Sequence, residues 1–408
     1  MILQVLMAAR AISMFGTGLQ GVVVAWLVLS HGGTTWHLAA MAALSAGVGV
    51  PASFLGGPLV DRFPRWAVTL VAEVGRAVPA AVVALLAAHA ELRVEHLLIA
   101  ATASSALHAV SVAAYGALLP QVLDRGSMVR VNGLWQAVAQ IGVFCGAATG
   151  GMAISALGGA NALWIEVVAR ALAGAAVLRL ARSAQTVQPA GVRVSTRWTS
   201  FWPDMVEAWY ILREQPALLW ISLFAAIPGS LIWGFNVVLP AFAKDVLGTG
   251  AFGYGLMDAA WGVGAFCAGL LCTRLPSAND SHRYHAHSLW LLGGATVAFA
   301  LGPNLPATMV LSAGTGGIAL GSLVLHQAYI QARSPPTHTG RIMAMSQLVL
   351  SALWLAVALG VGGLALVLPL RAIIIGWGVA IFVLGFLLRL LLGRARAHTP
   401  NLSVETGT

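Results

Sequence analysis

Three carboxylates lie inside long apolar runs of this sequence, where an ionised side chain is costly because it loses its water. Glu73 is followed by Arg76 three positions later, and Glu166 by Arg170 four positions later. These are neighbour spacings on a helix, so we expect two local structural ion pairs. Asp258 has no basic residue at either spacing. It is therefore our first candidate for a proton-carrying group, and the alternative is a hydrated, silent acid.

Two histidines, His108 and His326, are further candidates for proton transfer because imidazole titrates near neutral pH. Each lies in a polar line with steps of four, three and four residues, and a hydrogen-bonded packing role is the alternative. The first line consists of Ser104, His108, Ser111 and Tyr115, and the second of Ser322, His326, Tyr329 and Arg333.

Other polar side chains follow the same helical spacing inside apolar runs. One such line comprises Arg10, Ser13, Thr17 and Gln20, and a later run contains Trp233 and Asn236. Polar residues on one face of a lipid-embedded helix should face protein or water rather than acyl chains. We expect them to line a cavity, although each could instead bridge two helices.

The composition indicates which elements position these residues. Hydrophobic residues make up 59% of the 408 residues and charged residues only 9%, whereas about one quarter of an ordinary soluble domain is charged. The surface must therefore face lipid. The net charge of +9 does not indicate nucleic-acid binding, because the basic residues are scattered between apolar runs instead of forming a patch.

Several chemistries are disfavoured. The only lysine, Lys244, follows Ala243 rather than a glycine, so we expect no phosphate-binding loop and no ATP. The cysteines Cys145, Cys267 and Cys272 lie in apolar runs without metal-ligand spacing, so we expect no metal and no cofactor. A membrane-embedded enzyme and a receptor are alternatives that these residues do not favour.

Twelve stretches are long and apolar enough to span a bilayer, which needs about 20 residues each. The sequence thus predicts an all-α polytopic membrane protein whose first stretch is a retained helix, not a signal peptide. The predicted spans are 3–29, 36–58, 66–89, 95–119, 131–157, 161–181, 217–242, 250–273, 285–302, 305–332, 341–366 and 370–392.

The basic residues fix the orientation, since cytoplasmic loops collect Lys and Arg. With the amino terminus inside, only Arg93, Lys244 and Arg371 of the 22 basic residues fall outside. Both termini are therefore expected to be cytoplasmic.

The chain divides into two related halves. The two histidine lines are 218 residues apart, Ile12–Phe15 resembles Ile221–Phe224 at an offset of 209, and Gly150–Gly151 matches Gly362–Gly363 at an offset of 212. These similar offsets predict a duplicated six-helix unit. The expected domains are an N-terminal bundle at 1–181, a cytoplasmic linker at 182–216, a C-terminal bundle at 217–392 and a cytoplasmic tail at 393–408.

The linker contains the sequence TSFWPDMVEAWYILREQ at 199–215, in which Ser200 can cap a helix and apolar residues recur at helical spacing. We interpret it as a short amphipathic helix on the inner membrane surface. A disordered linker is the alternative.

The loop GGPLVDRFPRW at 56–66 resembles the signature loop of the major facilitator superfamily, although Pro64 stands near the place of a usual glycine. The resemblance implies that Asp61, with Arg62 and Arg65, forms a conformational latch, an interaction that holds one conformation and breaks during transport. A plain charged turn is the alternative reading. The superfamily's fold is twelve transmembrane helices in two pseudo-repeated six-helix bundles.

Further segments are similar to the macrolide-efflux and enterobactin-exporter branch, among them RAISMFGTGLQGVVVAWLVL at 10–29 and GYGLMDAAWGVGAFCAGLL at 253–271. The stretch GVFCGAATGG at 142–151 is similar to the glycine-rich motif of antiporters, with Ala147 where a proline is usual. Its Gly142, Gly146 and Gly150 recur every four residues and predict a flat face for close helix packing.

This resemblance implies a secondary active transporter, expected to be a monomer in the inner (cytoplasmic) membrane. Such a protein would export an amphipathic small molecule, such as a drug, a macrolide or a siderophore-like compound, by alternating access and proton antiport. An importer or facilitator of a dedicated metabolite is the alternative. Related exporters often carry an aspartate where this chain has Thr17 after Gly16, so proton coupling would need another group.

Overall fold

A computed structural model of the protein describes residues 2–118, 128–183, 206, 209–210, 213–214, 216–224, 226–272, 281–333 and 339–397. All of its regular elements within these ranges are helices. They are α1 (Ile2–Ser30), α2 (Thr35–Arg62), α3 (Arg65–Ala88), α4 (Val94–Leu118), α5 (Met128–Leu157), α6 (Gly159–Ser183), α7a (Pro216–Phe224), α7b (Ala226–Ala241), α8 (Gly250–Cys272), α9 (Ser281–Ala300), α10 (Leu305–Arg333), α11 (Thr339–Leu364) and α12 (Leu370–Ala397). A π-helical turn, Phe242–Val246, continues α7b.

These helices confirm the predicted all-α fold of twelve spans, with α7a and α7b together forming the seventh. Eight spans in the described ranges qualify as membrane-crossing on length and hydropathy alone. Helix α6 falls outside that group, in keeping with the charges of Glu166, Arg170 and Arg179 within it. Length and apolar character identify a span only where the helix carries few charges, and a charged span needs partners inside the protein.

The two halves are built from the same helix contacts, which confirms the pseudo-repeat. In the N-terminal bundle α1 packs on α5 and α6, α2 on α4, and α3 on α4 and α6. The C-terminal bundle repeats this pattern six spans later: α7b packs on α11, α7a on α12, α8 on α10, and α9 on α10 and α12. Each half is therefore the same six-helix unit.

The bundles meet mainly through two helix pairs, α5 with α8 and α2 with α11, which exchange under the same pseudo-repeat. Gly151 and Gly255 allow the first pair to approach closely: a Cβ atom added at Gly255 would lie 2.8 Å from the carbonyl oxygen of Ala147 and 2.9 Å from Cα of Gly151. In the second pair Gly362 lies against Ala39. Small residues thus bring the two backbones together.

A hydrogen bond also joins the bundles, since Nζ of Lys244 donates to the carbonyl oxygen of Leu29 at 2.9 Å. With the orientation expected from the sequence, Lys244, Gly255 and Gly362 all lie toward the outer ends of their spans. If both termini are cytoplasmic, as the sequence predicts, the contacts named here close the outer side.

The predicted glycine face of α5 packs inside its own bundle, against α1. A Cβ atom added at Gly142 would lie 2.5 Å from the carbonyl oxygen of Ala11, and one at Gly150 would lie 3.2 Å from that of Leu19. Gly146 lies between them, against the backbone of Phe15. These partners are main-chain atoms, so a larger side chain would force the two helices apart.

Most of the linker predicted at 182–216 lies outside the described residues. Within it, Val206, Trp209 and Tyr210 are helical and exposed, and the amphipathic helix stays a prediction. At the other end, α12 continues to Ala397, which is within the segment predicted as the tail, and 398–408 lie outside the described residues.

We expect Gly255→Val to weaken closure of the outer side, because its side chain would enter the backbone of α5 around Gly151. Overpacking of this kind costs about 1–3 kcal/mol, equivalent to a shift of about 5- to 150-fold in the conformational equilibrium. Spin labels at Arg93→Cys and Arg371→Cys, in a background without the three native cysteines, would report longer distances by electron–electron resonance. Gly269→Val on the same helix is the control, since a Cβ at Gly269 has open space within 4 Å; equal shifts in both variants would contradict the prediction.

Candidate functional site

Three helices of the N-terminal bundle place five charged side chains in its interior. They are Arg10 on α1, Glu73 and Arg76 on α3, and Glu166 and Arg170 on α6, and none is more than 7% exposed. Helix α4 contributes Ser111, His108 and Tyr115 to the same region. We call these eight residues, with Ser13 and Thr17, the charge cluster; its five charges lie on three helices, α1, α3 and α6, and α4 adds uncharged polar groups. Burial of so many charges requires a dense network of partners.

Glu73 is the best-satisfied member of the charge cluster. Its Oε1 accepts hydrogen bonds from the hydroxyls of Ser13 and Ser111, each at 2.7 Å. Its Oε2 lies 3.4 Å from Nη1 of Arg170. The carboxylate therefore ties α3 to α1, α4 and α6 at one point.

The local pair expected between Glu73 and Arg76 was wrong, because the carboxylate turns toward the bundle interior and pairs with Arg170 across it. The expected pair on α6 does form, with Nε of Arg170 at 3.4 Å from Oε1 of Glu166. Sequence spacing identified the residues but not the inter-helix partner. The missed signal was that α1, α3, α4 and α6 all carry polar groups inside otherwise apolar runs.

Arg170 is the connecting cation of the charge cluster. Beyond its two glutamates, its Nη1 donates to the carbonyl oxygen of Ser13 at 2.7 Å and its Nη2 to Oγ1 of Thr17 at 3.3 Å. Gly16 provides the room, because a Cβ there would lie 3.1 Å from Cζ of Arg170. The glycine that precedes Thr17 thus has a packing role specific to this guanidinium.

Arg76 and Arg10 are less well satisfied. Nη2 of Arg76 donates to Oγ1 of Thr17 at 3.0 Å, while Arg10 lies over the rings of Tyr115 and Trp135, at 5.6 and 5.3 Å from their centroids. Such cation–π contacts stabilise the charge but accept no conventional hydrogen bond. The half-buried His108 lies within electrostatic reach of Arg76, Arg170 and Arg10.

The remaining cavity candidates of the N-terminal bundle lie beside this network. Nε2 of Gln20 donates to Oγ of Ser104 at 2.8 Å, which joins α1 to α4. Thr17 and Gln20 are half-buried, whereas Ser13, Ser111 and Tyr115 are fully enclosed. Contact of any of them with a solute stays a prediction, and the structure adds a helix-bridging role for Ser13 and Ser111.

In the C-terminal bundle, Asn236 is exposed on α7b, and Ser322 and His326 are buried on α10. The side chains of Trp233 and Tyr329 lie outside those that the structure describes. Phe235, next to Asn236, packs against Trp261 and Phe299, with ring centroids 4.9 Å apart in each pair. Aromatic side chains thus pack together in the interior of this bundle.

Asp258 lies half-buried on α8, one helical turn after the buried Tyr254. Among the described residues it forms no hydrogen bond and no ion pair. Its role in proton coupling stays a prediction. Across the same described part of the chain, no three His, Cys, Asp or Glu side chains group as a metal site.

The predicted latch lies where α2 ends at Arg62 and α3 begins at Arg65, after Pro64. The Arg62 side chain is exposed and that of Arg65 is half-buried. The side chain of Asp61 lies outside those described, so the latch stays a prediction.

Comparison with known proteins supplies the family. The family model described as Major Facilitator Superfamily matches residues 6–295. The chain is 26% identical over 342 residues to the multidrug efflux pump Tap of Mycobacterium tuberculosis, which covers 81% of this chain and 79% of that protein. It is 24% identical to the pump of the same name from Mycolicibacterium fortuitum, with 81% of each chain covered.

Two solved structures share the fold. A variant of the nucleoside transporter NupG matches with a TM-score of 0.71 at 13% identity, covering 97% of this chain and 99% of that one. A bacterial homologue of the human lysosomal transporter Spinster, in an inward-facing and occupied conformation, matches with a TM-score of 0.67 at 13% identity, covering 96% of both chains. At such identities the likeness shows the fold alone.

We expect Glu73→Gln to destabilise the protein by about 3–5 kcal/mol, because it leaves Arg170 without its inter-helix anion and places an amide N–H₂ among donors. Ser111→Ala should cost about 1 kcal/mol, since it removes one of the hydrogen bonds to the carboxylate. Thermal unfolding of the purified protein in detergent would measure both. Glu91→Gln, at an exposed position, is the control, and an equal loss of stability there would contradict the proposed anchoring by Glu73.

Proposed function

This chain belongs to the major facilitator superfamily of membrane transporters, and we propose that it exports amphipathic small organic molecules across the inner (cytoplasmic) membrane as a secondary active transporter. The observation that carries this proposal is its similarity, over four fifths of its length, to proteins named as multidrug efflux pumps. The half-buried polar residues Thr17, Gln20 and Asp258, set in otherwise apolar helices, support a substrate with both polar and apolar parts.

We propose that transport proceeds by alternating access, in which the two bundles rock about a central site. The interface supports this proposal because its most extensive contacts are made by two symmetry-related helix pairs. Close approach at the first pair depends on glycines such as Gly151 and Gly255, so that backbone surfaces meet there without interlocking side chains. The predicted Asp61 latch, with Arg62 and Arg65, would stabilise the opposite closure on the cytoplasmic side, where both termini are expected.

Proton antiport is the proposed source of energy, and Asp258, His108 and His326 are the candidate carriers. Asp258 is the first choice because it is half-buried and has no ion-pair partner among the described residues. A group in this position can be neutral when the site is dry and ionised when water enters. We propose that a monomer suffices for this cycle.

The central test is an accumulation assay in a pump-deficient bacterium that expresses the wild-type chain or Asp258→Asn. We expect the wild type to exclude at least one amphipathic compound from an antibiotic and siderophore panel, and an uncoupler to abolish that exclusion. Asp258→Asn should lose about tenfold or more of the exclusion, because an amide cannot carry a proton. The matched control is Asp245→Asn, at an exposed position in the turn after α7b. Exclusion that persists with the uncoupler contradicts proton coupling, and uptake by the wild type contradicts export.

Asp61→Asn should separate binding from turnover. We expect it to bind a transported compound as the wild type does, because Asp61 lies at the cytoplasmic end of α2, but to transport it at least about tenfold more slowly, equivalent to about 1.4 kcal/mol or more. Fluorescence binding to purified protein and export rates from everted vesicles measure the two steps. If Asp61→Asn transports at the wild-type rate, the latch assignment is wrong and the loop is a plain charged turn.

A further inference from the structure

The charge cluster of the N-terminal bundle does not balance electrically. Arg10, Arg76 and Arg170 contribute three positive charges, and Glu73 and Glu166 contribute two negative ones. All five side chains are buried, and an uncompensated charge in such surroundings is strongly unfavourable. A surplus of one positive charge therefore remains when every member is ionised, and it grows if a glutamate takes up a proton.

The surplus lies on Arg10 and Arg76 rather than on Arg170. Glu73 is already occupied by two serine hydroxyls and by Arg170, and Oε1 of Glu166 is occupied by the same arginine. Neither Arg10 nor Arg76 has a carboxylate within ion-pair distance among the described residues. The two glutamates thus compensate the charge of Arg170 and leave the charges of Arg10 and Arg76 without a paired carboxylate.

The unpartnered hydrogen-bond donors of the charge cluster also indicate that an anion is missing. Nε and Nη1 of Arg10 and Nε and Nη1 of Arg76 are buried and have no acceptor. The hydroxyl of Tyr115 and Nδ1 of His108 are also buried without a partner. Buried donors in proteins are nearly always satisfied. The four unpartnered guanidinium nitrogens, two on each arginine, have no anionic acceptor besides the free Oε2 of Glu166, so the charge cluster calls for an added acceptor.

We propose that Arg10 and Arg76 form an anion-recognition site, which binds the carboxylate or phosphate group of a transported substrate. Guanidinium groups bind both anions through paired, planar N–H donors and stay charged in apolar surroundings. The half-buried Thr17 and His108 form the accessible margin of the charge cluster, through which such a group would reach the arginines. This inference rests on the proposed export function and specifies it: the preferred substrates are acidic or zwitterionic rather than purely cationic.

The test is binding of simple anions to the purified full chain in detergent. Sodium benzoate and sodium phosphate are titrated against sodium chloride at constant sodium concentration, with benzyltrimethylammonium chloride as a cation of similar size to benzoate. The readout is the unfolding temperature of the protein. We expect saturable binding of benzoate, phosphate or both, and none of the cation.

Variants connect that binding to the arginines. Arg10→Gln should weaken benzoate or phosphate binding about tenfold or more, since it removes a charged hydrogen-bond donor. Arg10→Lys should retain part of the affinity, because it keeps the charge but loses the planar pair of donors. Arg371→Gln, an exposed arginine of the other bundle, is the matched control and should bind as the wild type. Arg76→Gln provides a second test of the site if this variant folds. If it does not fold, the result for Arg10→Gln alone decides whether the anion binds here.

Three outcomes would overturn the inference. The first is that the folded wild type shows no saturable anion binding, which would mean that water satisfies the donors. The second is that only chloride binds, which would indicate an inorganic counter-ion. The third is that Arg10→Gln binds benzoate or phosphate as tightly as the wild type. The export assay separates this result from the proposed function. Export of cationic compounds that is unaffected by Arg10→Gln retains the exporter and refutes the anion site. Arg10-dependent binding of benzoate without export of any compound retains the anion site and refutes the exporter.

Discussion

The arrangement of the N-terminal bundle depends on the interactions of the Glu73 carboxylate. Two serine hydroxyls and one guanidinium hold it, and each comes from a different helix. Because a buried carboxylate without these partners would be strongly unfavourable, α1, α4 and α6 must keep their depth relative to α3. That fixed depth also places Thr17 between Arg76 and Arg170, and places Arg10 between its aromatic rings. The polar margin of the proposed site thus follows from one buried ionised group.

The two bundles have the same arrangement of helices but different side chains in their interiors. Their helix contacts correspond pair by pair, as a duplicated unit requires. However, the N-terminal bundle encloses the charge cluster, while the C-terminal bundle encloses Phe235, Phe299 and their aromatic neighbours. One scaffold can carry both because its close helix contacts are made by glycines and other small residues. The interior side chains are then free to differ between the halves.

The sequence was sufficient to predict the helices but not to predict which side chains and helices contact each other. Hydropathy and charge placed all twelve spans, because a lipid-embedded helix must be long and apolar whatever it packs against. Helical spacing correctly paired Glu166 with Arg170, which lie one turn apart on one helix. It failed for Glu73, because its partner lies 97 positions away along the chain, and periodicity describes a single helix only. For the same reason the glycines at 142, 146 and 150 were recognised as a packing face, but α1 could not be identified as their neighbour.

Substitutions at two adjacent glycines of α5 would have different effects on the protein. Gly150 lies against α1 within its own bundle, whereas Gly151 lies against Ala251 and Gly255 of the other bundle. In the proposed alternating-access cycle, the first contact moves with the bundle as a rigid body and is present in every state, whereas the second exists only while the bundles are closed on that side. A methyl group added at Gly150 would raise the free energy of all states together and shorten the lifetime of the folded protein. The same methyl group at Gly151 would raise that of one state only, so this single position can set how long each half of the cycle lasts while the fold is unaffected.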